Sequence, residues 1–195
     1  MGPLPPSDRG LRSASRPRAG RFGGAGRRTA GRRLRKHRVI VIADTSGLLA
    51  AVDANETEHH ACRAAIAKTS LLVIPPFVLA EFDYLVAKHL GDATAIATCA
   101  DITKSVRRGD YEIANMTPDI LADATAVRAR YRELKLGLTD AVNVVLADRL
   151  RAEALLTLDR RHFRTIRPIT ATTQAFRLLP DDVSAQDQPG TSPSA

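Results

Sequence analysis

Apolar residues fall along this chain in short unbroken runs separated by longer stretches with helical spacing. Val39-Ile40-Val41-Ile42-Ala43 shows no polar alternation and stops at Asp44-Thr45-Ser46, the pattern of a strand covered on both faces. Leu71 to Ile74, Tyr111 to Ala114 and Ala154 to Leu158 predict three more strands, and Phe176 to Leu179 is a candidate fifth. Between them, Leu48 to Val52, Glu56 to Lys68, Phe77 to Leu90, Ala93 to Val106 and Pro118 to Leu136 read as helices, as does a segment from Thr139 or Asp140 to Arg151. Pro76 suits the start of the Phe77 helix and Gly91 its end, with Phe77, Leu79, Ala80, Tyr84, Leu85 and Leu90 expected toward the core. Strands separated throughout by helices predict an α/β sandwich around a parallel sheet.

Composition changes this picture at the ends. Residues 1–37 are rich in Gly, Pro, Ser and Arg with almost no large apolar side chains, so they are expected to form a disordered tail. A domain over 38–180 and a second polar disordered tail over 181–195 complete the organisation. The formal charge of +8 divides unevenly. Up to Arg38 there are eleven Arg and one Lys against one Asp, net +11, whereas the remainder has 17 basic against 20 acidic residues, net −3. The basic character therefore belongs to the tail, which is either a nucleic-acid tether or an extension without a role. Too short an apolar run follows the Arg pairs for a secretory signal, and no stretch is long enough to span a membrane, so a cytoplasmic protein is expected. Cys62 and Cys99 sit in apolar helical stretches and are expected to be buried free thiols.

The candidate chemistry is carboxylate chemistry. Asp44 follows the first strand, Glu81 lies in the first turns of the helix after the second, Asp140 starts a helix, and Asp159 follows the fourth strand. In a parallel sheet, ligands bind beyond the carboxyl ends of strands, where Asp44 and Asp159 fall. The competing reading makes them turn or helix-cap residues. Glu81 interrupts Val78-Leu79-Ala80-Glu81-Phe82, where a core-facing carboxylate is costly unless paired or metal-bound; Asp83 is the better candidate for a solvated acid. Converging carboxylates need protons or cations between them, and hard oxygen ligands suit Mg²⁺ or Mn²⁺. Such a site would activate water for attack on a phosphodiester.

Four segments carry a resemblance. They are Val41-Ile42-Ala43-Asp44-Thr45-Ser46-Gly47-Leu48-Leu49-Ala50, Val78-Leu79-Ala80-Glu81-Phe82-Asp83-Tyr84, Leu138-Thr139-Asp140-Ala141-Val142-Asn143-Val144-Val145-Leu146-Ala147 and Leu155-Leu156-Thr157-Leu158-Asp159-Arg160-Arg161-His162-Phe163. In order and spacing they resemble the PIN-domain ribonucleases, and more closely the VapC toxins of toxin–antitoxin modules of the mycobacterial kind, over about Val39 to Pro180. The resemblance implies a PIN-like three-layer sandwich with a central parallel sheet of four or five strands. It also implies Mg²⁺- or Mn²⁺-dependent endonucleolytic cleavage of tRNA or rRNA, a cognate VapB-type antitoxin and a homodimer. Motif by motif, the family's acidic site falls on Asp44, Glu81, Asp140 and Asp159, as catalytic and metal-binding residues. The first 37 residues lie outside the resemblance.

Around these acids, Thr45 and Ser46 would orient a water or simply form the turn, and Asn143, one helical turn after Asp140, would support the site or be an ordinary polar residue. Arg160, Arg161 and His162 would contact RNA phosphates or form a solvated turn, while His59 and His60 read as surface residues. The antitoxin would lie on the helices around Phe77 to Val106, using Phe82, Tyr84 and Leu85. The alternative function is a non-catalytic RNA-binding protein that uses the Arg-rich tail. A flap-endonuclease-type DNA nuclease is disfavoured because the chain lacks room for DNA-clamping elements.

Overall fold

The computed structural model describes residues 39–170 and 175–182. The expected N-terminal tail and residues 183–195 lie outside the described residues. Five strands, β1 (Ile40–Ala43), β2 (Leu71–Ile74), β3 (Tyr111–Ile113), β4 (Ala154–Leu156) and β5 (Leu178–Leu179), form one sheet in the order β3-β2-β1-β4-β5. Every pairing in it is parallel. Seven α-helices are described: α1 (Thr45–Val52), α2 (His59–Ala67), α3 (Pro76–Leu90), α4 (Asp92–Arg108), α5 (Pro118–Arg130), α6 (Leu138–Arg149) and α7 (Arg160–Thr165). The chain winds outward from β1 through β2 to β3, then returns to lay β4 on the other side of β1. The reversal therefore falls between β1 and β4, where connections diverge and leave a crevice at the carboxyl ends.

Alternation along each strand divides the core into two layers. Ile42, Leu71, Val73, Leu155 and Leu178 pack with residues of α5, α6 and α7. Val41, Ala43, Leu72, Ile74, Ala154 and Leu156 pack on the opposite face with residues of α1, α2, α3 and α4. The result is the three-layer sandwich that the unbroken apolar strands require.

Four expectations of detail are corrected. The predicted Pro118 to Leu136 helix stops at Arg130; a 3₁₀ turn over Arg132–Leu134 follows and ends at Lys135, whose φ of 52° is left-handed. Helix α3 packs through Val78, Phe82 and Val86, an i, i+4, i+8 row exposed by 1% or less, whereas Phe77 (36%) and Tyr84 (62%) face outward. The wider expected face exceeds what one sheet covers, and Phe82 is unavailable to a partner. His59 is buried, its Nδ1 2.9 Å from the Ala50 carbonyl oxygen, and so ties α2 to α1. Cys62 is buried, with its thiol pushed up to about 11 mainly by burial; Cys99 is only half-buried and donates to Asp83 Oδ1.

The Asp-Thr-Ser-Gly sequence, which also reads as a turn, begins α1. Its glycine is required by a close approach: a Cβ on Gly47 would stand 2.5 Å from the Leu156 carbonyl oxygen. No larger residue lets the first turn of α1 lie against the end of β4. Asp44 and Ser46 are thereby brought beside Thr157.

Candidate active site

Asp44 caps α1 at the end of β1 and is 5% exposed. Its Oδ2 accepts from the Ser46 hydroxyl (2.6 Å), the Thr157 hydroxyl (2.9 Å) and, at 3.4 Å, the Ser46 amide. Its Oδ1 accepts from Asn143 Nδ2 at 3.1 Å. The two hydroxyls are themselves fixed, because Ser46 Oγ accepts from the Leu158 amide and Thr157 Oγ1 from the Asp159 amide. This carboxylate is oriented by donors on α1, on the residue that follows β4 and on α6 together, which compensates the burial of its charge. Asn143, fully buried, belongs to the site, and its Oδ1 has no hydrogen-bond partner.

Asp140 occupies the third position of α6, where its Oδ2 accepts from the Gly137 amide at 3.2 Å. A Cβ on residue 137 would meet that same oxygen at 3.2 Å, so glycine leaves room for the carboxylate to fold back over the helix start. Burial raises the Asp140 pKa above the ordinary carboxylate value; the negative charge of Asp44, and to a smaller degree that of Asp159, adds to the effect. The Gly137 amide and His162 oppose it. Asp140 is thus close enough to both Asp44 and Asp159 to sense their charge.

Asp159 caps α7, its Oδ1 accepting from the His162 amide at 3.0 Å. Its Oδ2 lies 2.7 Å from His162 Nδ1, which is itself 3.7 Å from Asp140 Oδ2. Although at ion-pair distance, the ring is not aligned for a hydrogen bond, and Nδ1 is buried without a hydrogen-bond partner. Ligand atoms of Asp140, Asp159 and His162 all lie within 4.8 Å of one another, a set able to hold a metal ion.

Glu81 departs from expectation. It is exposed and does not face the core. It joins the site through Thr45, whose hydroxyl donates to Glu81 Oε2 at 2.8 Å next to Asp44. A solvated acid on the rim of α3 carries little desolvation cost, which removes the argument that had singled it out but leaves its carboxylate beside the pocket.

The Arg160-Arg161-His162 segment is the start of a helix, not a turn. Arg160 donates to both Asp181 oxygens and pairs with Glu58, and Arg164 donates to both Asp182 oxygens. These pairs hold the Asp181 and Asp182 carboxyls below their usual range, and they engage Arg160 away from any phosphate. Two residues take positions in the site that the sequence does not predict: Thr157, without an expected role, and His162, expected at RNA phosphates or in a solvated turn. Thr157 is a polar residue inside an otherwise apolar strand end, two positions before an acid, and that interruption is the signal. His162 sits three residues after a helix-capping acid, a spacing that brings its ring over the cap.

Comparison with known proteins follows the same residues. The PIN domain family profile matches residues 41–167. The chain is 42% identical over 130 residues to the ribonuclease VapC26 of Mycobacterium tuberculosis, covering 66% of this chain and 93% of that protein. Among solved structures, the Mycobacterium tuberculosis VapC20, a sarcin-ricin-loop-cleaving toxin, superposes with a TM-score of 0.54 at 20% identity, over 62% of this chain and 91% of that one. VapBC2 of Rickettsia felis, bound to a DNA fragment from their promoter, gives a TM-score of 0.52 at 20% identity, over 71% and 96%. At these identities the two structures speak for the fold alone.

Proposed function

The chain belongs to the PIN-domain family and to its VapC ribonucleases, and from that premise we propose that it is a metal-dependent endoribonuclease toxin that cleaves a structured RNA, tRNA or rRNA. The observation that carries this reading is the convergence of Asp44, Asp140 and Asp159 at the β1/β4 reversal, with the Asp140 pKa raised by burial and by its acidic neighbours. Like charges gathered in a half-buried crevice fit a cation of hard oxygen preference, Mg²⁺ or Mn²⁺. Buried polar atoms without partners, Asn143 Oδ1 and His162 Nδ1, fit it too.

Asp44, Asp140 and Asp159 would hold the ion, with Glu81 at the rim. When bound, the ion activates water and neutralises charge developing on the phosphodiester. The residues themselves divide the work. Ser46, Thr157 and Asn143 fix the Asp44 carboxylate before substrate arrives, which keeps the cost of ordering out of the reaction. Thr45 holds Glu81 toward the site. The exposure of the rim leaves room for an RNA strand, whose phosphates need a cation to approach so acidic a crevice.

A toxin of this kind requires a partner. A VapB-type antitoxin is proposed to dock on α3 and α4, where Tyr84 and Ile96 are 62% and 72% exposed, in place of the buried Phe82. Among the described residues no helix is long and apolar enough to cross a membrane. The function is tested by sequencing RNA ends after inducing the intact chain and an Asp44→Ala chain, with and without EDTA in the parallel assay on purified protein. Discrete new ends that need Asp44 and divalent metal are expected. RNA binding without cleavage would favour the non-catalytic reading and overturn this one.

A further inference from the structure

We propose that His162 is a metal-ligating residue of the acidic site, making it a mixed nitrogen and oxygen site that prefers a first-row transition cation over Mg²⁺. This rests on the metal-dependent reading above and specifies which ion the site selects.

Three observations support it. The His162 Nδ1 atom is buried between two carboxylates and is not aligned for a hydrogen bond with either, although buried ring nitrogens ordinarily make one. It lies 2.7 Å from Asp159 Oδ2 and 3.7 Å from Asp140 Oδ2, and the three ligand atoms fall within 4.8 Å of one another. Separations of this order are those of neighbouring ligands around one ion with bonds of about 2.0–2.2 Å. Finally, a histidine that served only to brace Asp159 would align its ring with that carboxylate, whereas Asp159 is already braced through Oδ1 by the His162 backbone amide. The backbone thus holds the cap, leaving Asp159 Oδ2 and the imidazole Nδ1 side by side next to Asp140.

The consequence is chemical selectivity. Mg²⁺ keeps an octahedral shell of oxygen and gives up water reluctantly, whereas imidazole nitrogen favours transition ions in the order in which their affinities rise from Mn²⁺ to Co²⁺. Asp44 already has three donors on Oδ2 and one on Oδ1, so the less satisfied Asp140, Asp159 and His162 corner is where the identity of the ion is decided.

The test uses the full chain without RNA. Binding of Mg²⁺, Mn²⁺ and Co²⁺ is measured by calorimetry for the wild type, His162→Ala, His162→Asn and Asp140→Asn. Electron spin-echo measurements on bound Mn²⁺ then look for coupling to ¹⁴N. The wild type is expected to bind Mn²⁺ and Co²⁺ more tightly than Mg²⁺ and to show the nitrogen coupling. His162→Ala should lose about 10–100-fold in Mn²⁺ affinity, on the scale that residues around metal sites command. His162→Asn, which offers an oxygen in place of Nδ1, should keep Mg²⁺ binding and lose both the preference and the coupling. Absence of ¹⁴N coupling in the wild type, or an unchanged Mn²⁺ to Mg²⁺ ratio in His162→Asn, overturns the inference while leaving the acidic site standing if Asp140→Asn still abolishes binding. Metal binding unaffected by Asp140→Asn overturns the acidic site itself and the inference with it.

Discussion

Asp44 and Asp140 lie at the same edge of the sheet and carry the same charge, yet their surroundings are built in opposite ways. Asp44 is almost fully buried, with donors on both oxygens from three separate elements. Asp140 has one backbone donor and acidic neighbours that raise its pKa. The first carboxylate is held in place by the protein alone. The second corner gathers Asp140, Asp159 and the His162 ring nitrogen, and on the proposed reading a cation would complete it. A metal site so divided would keep one ligand fixed as a reference and let the ion complete the other side, so geometry would be set before binding and binding energy concentrated where repulsion is relieved.

The sharpest way to break this comparison is to remove one charge at a time. Asp44→Asn and Asp140→Asn should each lower RNA cleavage by about 10³-fold or more, since a metal site supplies several kcal/mol of charge stabilisation. In metal-free protein the two should move the melting temperature in opposite directions. Asp44→Asn puts an amide donor against the donors of Ser46, Thr157 or Asn143 and should destabilise by about 1–3 kcal/mol. Asp140→Asn removes a charge that opposes folding and should raise the melting temperature. The sign follows from the raised pKa: the folded state takes up the proton more readily, so ionisation of Asp140 costs stability as pH rises through that pKa. The advantage of Asp140→Asn should therefore be present at pH 7 and vanish below the ordinary Asp value of 3.8. Melting curves of both variants across pH decide it; parallel shifts would dissolve the distinction between the two corners.

Next in size is the hydroxyl bridge. Thr157 donates to Asp44 and accepts from the Asp159 amide, so it joins the two corners through one oxygen. Thr157→Val keeps the shape and removes the bridge. A cost of about 1–3 kcal/mol is expected from the stranded amide and carboxylate, together with a roughly 10–100-fold loss of metal affinity. Thr157→Ser should restore most of both. Equal metal affinity in Thr157→Val and wild type would show that the corners act independently.

The same contrast explains what could be read in the chain beforehand. Unbroken apolar runs with helical spacing between them point to the parallel sandwich, because strands covered by helices on both faces carry no polar alternation. The positions of Asp44 and Asp159 at strand ends were legible for the same reason, and the four motif segments led to the family that the comparisons then found. Glu81 is exposed, so no desolvation cost marks it, and its tie to the site runs through the Thr45 hydroxyl. Spacing alone does not say which of two overlapping arcs of α3 meets the sheet, and Phe77 and Tyr84 are apolar but outward. Thr157 interrupts an apolar strand end and His162 follows a capping acid by three residues, but the contacts to Asp44 and Asp140 that place them in the site are supplied only by the fold. Gly47 read as a turn residue, and its need arises only from the Leu156 carbonyl across the sheet edge.

The smallest expected effect separates the site from the support of the helix that carries it. Helix α7 bears Asp159 and His162 at its start and Arg164 further along, and Arg164 is clamped by Asp182 at 2.6 and 2.8 Å. Asp182 Oδ2 also accepts from the Leu178 amide at 2.8 Å, so this carboxylate ties the end of α7 to β5 at the sheet edge. Both side chains of the pair are partly solvent-exposed, which screens the attraction and limits an ordinary surface pair to about 0–1 kcal/mol. Asp182→Asn should therefore cost about 1 kcal/mol or less, and the cost should shrink in high salt. Because Arg164 lowers the Asp182 pKa, the contribution is present above the ordinary carboxylate value and is lost as pH falls through the lowered one. Metal affinity should not change, because the Asp159 and His162 geometry is set by the cap hydrogen bond at the opposite end of the helix. Calorimetric titration of Asp182→Asn with Mn²⁺ checks this directly: a several-fold loss of affinity would mean that the clamp, and not the cap, positions the incomplete corner.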